Sequence, residues 1–250
     1  HQEARRQRQM CIRDSLYYLI NVGGIIYHHG SSRTPDTFSQ PDIVYPESDD
    51  AIASFNDTPG AVSIERDIQE IETLARKTAA NRHHAQPLLS ILDQRLLYWP
   101  IGSAGVADNT AVTEWGSHMT GIRQAGALLC GYIDRPGTSS VMMLLRSIIG
   151  LSDSQFNWKE LGQRKATQGV TDADIFREIL QPGERSAVFA YISDPNDVFM
   201  AQDAANEVCF FYLNPGLSGQ NIARVDIPRW VAEDEMSVTA VWANSKCLPC

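Results

Sequence analysis

LLSILDQRLLYW, residues 88–99, has four apolar residues among its first five and delivers the backbone to a single acid, Asp93. Pro87 precedes it, and only Gln94 and Arg95 interrupt it before the second apolar run, Leu96–Trp99. So short a run, with those boundaries, predicts a buried strand rather than a helix. A carboxylate at the end of such a strand is held rigidly, half out of the core, where it can bind a cation or activate water. The competing reading is a turn-forming Asp between two hairpin strands.

Downstream, AGALLCGYIDRP (residues 125–136) predicts a strand ending at Asp134, preceded by a helix over Trp115–Gln124. Thr138–Ile149 predicts the next helix, capped by its own Ser/Thr start, with Met142, Met143 and Leu145 in the core. Strand–helix–strand–helix alternation over Leu88–Ile149 indicates an α/β domain with strands at least partly parallel. Open sheets of this kind place their chemistry at strand ends, here Asp93 and Asp134.

Upstream, Ser63–Ala80 predicts a helix with Ser63 as its N-cap. Ile64, Ile68, Ile71, Leu74 and Ala75 follow helical spacing and form one stripe. Glu65, Glu70 and Glu72 lie off that stripe, with Glu72 nearest its edge. Such glutamates usually mark a solvated face. On a helix leading straight into the Asp93 strand, one of them can reach the same cation. Earlier still, Leu16–His28 predicts two strands with a tight turn or bulge at Gly23–Gly24, followed by a polar excursion holding one short strand at Asp42–Tyr45. His28 and His29 are adjacent, so on a strand they point to opposite faces and do not share a metal. Toward the other end, Thr171 caps a helix stopping at Pro182–Gly183. Ala187–Ile192, Val208–Leu213 and Ile222–Ile227 predict consecutive antiparallel strands, and Val238–Ala243 the start of a last helix.

At 250 residues, 43% hydrophobic and 20% charged, the chain has the make-up of an ordinary globular protein with ample core. No apolar run is long enough to span a bilayer. A net charge of −9 argues against a passive nucleic-acid coat but not against a nuclease, whose acidic metal site itself lowers the charge. Of five cysteines, Cys130 and Cys209 sit in apolar runs as expected buried thiols, Cys11 lies near the start, and Cys247 and Cys250 form a terminal CLPC with zinc or redox spacing but no second pair. A reducing cytoplasm fits this usage. Residues 1–15 form a basic, patternless tract that begins without Met and resembles adapter read-through, and the chain stops without a closing element. We therefore expect a single domain over residues 16–250, truncated at both ends.

No GxGxxG follows a strand, and there is no Walker A, HExxH or GxSxG. His83–His84 lies in a polar linker. The remaining chemical feature is a set of carboxylates, Glu70 or Glu72 with Asp93, and Asp134 either with them or as a cap for the following helix. Hard oxygen donors of this kind suit Mg²⁺ or Mn²⁺ and the hydrolysis of a phosphodiester.

In order, YYLINVGGIIYHHGS, ERDIQEIETLA, LLSILDQRLLYW, ALLCGYIDRP and ARVDIPRWVA resemble the NurA family of DNA-repair nucleases over most of residues 16–245. The resemblance implies a ribonuclease H-like fold, a mixed sheet flanked by helices. It also implies a Mn²⁺- (or Mg²⁺-) dependent nuclease that works as a homodimer with a HerA-type hexameric ATPase to resect DNA ends. Asp93 matches the family's strand-end metal ligand, and Glu70 or Glu72 its helix glutamate. Gln94–Arg95 stand where the family has Gly–Ser, adding side chains where backbone should approach closely. Arg95, Arg135 and Arg224 are the candidate DNA contacts. The alternative is a non-catalytic dimeric adaptor docking on the ATPase ring, and a third reading is an unrelated α/β domain with surface acids.

Overall fold

The computed structural model describes residues 17–29, 32–45, 59–82, 87–100, 109–151, 169–216 and 221–246. The tract over 1–15, His83–His84, most of the Gly102–Thr110 loop, Cys247 and Cys250 lie outside the described residues. Backbone packing divides the chain into two compact units, residues 1–77 with 99–118 and residues 78–98 with 119–250.

In the first unit, β1 (Tyr18–Ile26) pairs antiparallel with β2 (Asp36–Val44). The expected turn at Gly23–Gly24 is mid-strand instead. Gly24 lies opposite Phe38, and a Cβ there would fall 2.6 Å from the Phe38 ring, so the glycine makes room for a cross-strand aromatic rather than for a turn. The short strand expected at Asp42–Tyr45 extends back to Asp36, with Pro41 accommodated because the two-stranded ribbon leaves an edge free. Helix α1 (Pro59–Asn81) begins a full turn before Ser63, which is therefore not its cap. Ile68 and Ile71 are buried, and Ile64, Leu74 and Ala75 half-buried, as the stripe predicts. Gln40 of β2 anchors the helix by accepting from Thr73 Oγ1 at 3.4 Å and Arg76 Nη2 at 2.7 Å. Lys77 Nζ sits 4.4 Å from the centre of the Phe38 ring.

The second unit is built on β3 (Leu89–Leu92), β4 (Leu128–Ile133), β5 (Phe189–Ala190), β6 (Val208–Leu213) and β7 (Ala223–Pro228). Their order is β3-β4-β7-β6-β5. The first pair is parallel and every other pair antiparallel, which makes the sheet mixed. The hairpin reading of Asp93 is thereby excluded. Strand β3 returns through α2 (Asn109–Gln124) to a parallel partner, and Leu96–Trp99 forms no strand.

Alternation sorts the sheet's side chains. Cys209, Phe211 and Leu213 with Val225 and Ile227 face a core completed by Val231 of α6 (Arg229–Ala232) and by Val238 and Val241 of α7 (Glu235–Ser245). Phe210 and Tyr212 face the other side, where Val141 of α3 (Ser140–Leu151) and Ala173 and Phe176 of α4 (Asp172–Ile179) cover them. All six residues of β6 are buried, as expected for a strand covered on both faces. Thr171 is the expected N-cap of α4, and with Asp174 it forms a capping box. The start of α3 differs from expectation. Asp172, fully buried, accepts from Val141 N at 3.1 Å and Met142 N at 2.8 Å, so a distant carboxylate caps this helix rather than its local Ser/Thr. Met142 and Met143 are half-buried and Leu145 is exposed, while Val141 is buried. Helix α5 (Asp194–Gln202), with Ser193 as its N-cap, has no counterpart in the sequence reading. Cys130 and Cys209 are free buried thiols, as expected, and burial pushes them up to about 12 and about 11. No described helix is long and apolar enough to cross a membrane.

Candidate active site

Because β3 and β4 run parallel with Leu92 opposite Gly131, their C-terminal ends open on one edge of the sheet. Asp93 follows directly on β3 and Asp134 on β4. Asp93 is exposed, yet the surrounding sheet edge removes part of its solvation. That burial raises its carboxyl above the usual range, and the negative charge of Asp134 raises it further. Asp134 Oδ2 lies 3.4 Å from Arg135 Nε, while its Oδ1 is buried and has no hydrogen-bond partner among the described residues. Two hard oxygen donors that repel each other, one with an unused buried lone-pair site, are what a divalent cation neutralises, so the donor set fits Mn²⁺ or Mg²⁺.

The other residues singled out from the sequence fall in varied places. Glu70 is half-buried and Glu72 exposed, both on the part of α1 belonging to the first unit. Among the described residues no group of three or more His, Cys, Asp or Glu side chains is placed to hold a metal ion. Arg95 is exposed beside Asp93, and the Arg135 side chain is 80% exposed beside Asp134. A cavity of about 210 Å³ adjoins Asp134 and is also lined by Arg135, Thr171, Arg177 and Asn221. Arg224 is not at a surface. It is 6% exposed, its Nε donates to Asp226 Oδ1 at 2.7 Å, and its guanidinium lies 4.1 Å from the Phe210 ring centre. The guanidinium is committed to a buried carboxylate and an aromatic face, and does not project toward a phosphate.

The sequence reading overlooked Asp226. It is fully buried, stands opposite Gly131 in the ladder, and accepts from Leu96 N at 3.1 Å through its second oxygen. Its signal was present in ARVDIP, where two opposite charges two residues apart share one face of an otherwise apolar strand.

A mixed sheet flanked by helices, with paired acids at the C-terminal edge of its parallel strands, defines a ribonuclease H-like α/β protein. A family model described as NurA domain matches residues 14–244, and the chain belongs to that family of nucleases associated with DNA repair. No curated protein and no solved structure matches the chain.

Proposed function

We propose that this protein is a divalent-metal-dependent deoxyribonuclease that acts with a HerA-type hexameric ATPase, as a homodimer in the cytoplasm, to resect DNA ends. The observation that carries the reading is the Asp93–Asp134 pair, two mutually repelling carboxylates at one sheet edge, one with a buried oxygen that has no partner among the described residues. Asp93 and Asp134 would hold Mn²⁺ or Mg²⁺, and Glu70 or Glu72 is the candidate for the family's helix glutamate. A bound divalent ion supplies Lewis-acid polarisation of the phosphodiester and a water of lowered pKa. Arg135, beside the acids and largely in solvent, is suited to orient a phosphate as it arrives. Arg95 presents a second positive charge on the Asp93 side.

The adaptor reading gains support from one feature, the Gln94–Arg95 side chains that follow Asp93. Calorimetric titration with Mn²⁺, run beside a DNA degradation assay, separates the two. A nuclease binds Mn²⁺, degrades DNA only with the metal, and loses both properties on Asp93→Ala. DNA degradation that persists in chelator, or that Asp93→Ala leaves unchanged, defeats the metal-nuclease reading, and an adaptor shows neither binding nor cleavage.

A further inference from the structure

The segment after Asp93 turns back across the sheet and lies directly on Gly131. A Cβ built on Gly131 would fall 2.3 Å from the Gln94 carbonyl oxygen and 3.0 Å from Leu96 N. Leu96 is fully buried, so the turn is drawn into the core on its far side. The adjacent strand supplies the anchor. Asp226, opposite Gly131, takes the Leu96 N–H on one carboxylate oxygen and the Arg224 guanidinium on the other. The Arg224 guanidinium in turn lies over the Phe210 ring, 4.1 Å from its centre.

We infer that Asp226 is a positioning residue for Asp93, clamping the Gln94–Leu96 turn against Gly131 so that the Asp93 carboxylate stays at the sheet edge. This role rests on Asp93 being the acid that holds the cation. A buried carboxylate in the centre of an apolar strand is costly, and an apolar pair of similar volume would serve packing at least as well. The charge is put to use at the Leu96 N–H, three residues after the acid. Arg224 pairs with Asp226 and holds it aimed, and the glycine lets the turn approach.

Two double variants isolate the anchor, since each removes both buried charges and leaves no unpaired ion. Arg224→Met with Asp226→Asn retains a side-chain oxygen for the Leu96 amide, whereas Arg224→Met with Asp226→Leu does not. Hydrogen exchange at Leu96 and tryptic cleavage after the exposed Arg95 report the turn, and Mn²⁺ calorimetry reports the site. The Asn pair is expected to stay near wild type, and the Leu pair to cleave and exchange faster and bind Mn²⁺ about 10- to 100-fold more weakly, the usual penalty for losing an outer partner of a metal ligand. Equal behaviour of the two doubles overturns the assignment. Gly131→Ala, which leaves both charges intact and displaces the Gln94 carbonyl, provides a second route if the Leu pair does not fold, and unchanged Mn²⁺ affinity in that variant also overturns it. If wild type binds no Mn²⁺, or binding survives Asp93→Ala, the metal reading fails, and cleavage at Arg95 still decides whether Asp226 holds the turn.

Discussion

Asp93 is pulled two ways, since partial burial and the Asp134 charge favour its protonated form while a cation would favour the carboxylate. Its folded pKa lies above the unfolded one, so the native state retains the proton over a window above the ordinary aspartate range. The associated stability is fully present below the unfolded pKa and is lost as pH rises through the folded value. Mn²⁺ competes with that proton, and its affinity is expected to climb across the same window. Asp134→Asn should move the Asp93 titration down without restoring the ordinary value, because burial is the larger cause. Carbon-detected NMR of the Asp93 carboxyl measures this, and a titration that does not move would show that the two acids do not share a site. Cys130 gives a second test at this scale. With its thiol pushed up to about 12, only about one molecule in 10⁴ is thiolate near pH 8, so alkylation of native protein should be slow until unfolding. Fast labelling of native Cys130 would contradict its burial.

At the scale of elements, two helix starts show how local and distant caps differ. The α4 box lies within four consecutive residues, Thr171 to Asp174, and was legible in the sequence for that reason. The α3 cap comes from Asp172, about thirty residues along the chain, and local reasoning assigned it to the wrong residues. Asp172 also accepts from Tyr212 Oη at 2.7 Å, joining two helices and strand β6. Replacing Thr171 by Ala should cost about 1 kcal/mol. Asp172→Ala leaves three donors without their acceptor and should cost about 3 kcal/mol or more. Urea unfolding of the two variants reads the difference, and an equal loss would mean that Asp172 does no more than an ordinary cap.

For the whole molecule, the net charge of −9 bears on how DNA is held. With Arg224 buried, Arg95 and Arg135 are the phosphate-contact candidates that remain at the surface. Each duplex phosphate neutralised contributes roughly 0.9 to the slope of log affinity against log salt, so a slope of magnitude about 1 to 3 is expected. Fluorescence anisotropy with a labelled duplex over about 50 to 200 mM salt tests it. A slope several times steeper would require a broad basic face, which the predicted contacts do not provide.

Sequence alone determined what depends on neighbours along the chain: the α/β class, the strand leading to Asp93, the strand ending at Asp134, the antiparallel strands near the C-terminus and the Thr171 cap. Periodic burial and short polar breaks are local signals, and they survive without knowledge of partners. Tertiary structure decided what depends on register and on which charges meet. It made Gly24 a seat for Phe38 rather than a turn, paired β3 in parallel with β4, brought Asp93 and Asp134 to one edge, and turned Arg224 inward to Asp226. A cross-strand register or a buried ion pair joins residues far apart in sequence, and its energy comes from desolvation and close approach that exist only once the sheet has formed.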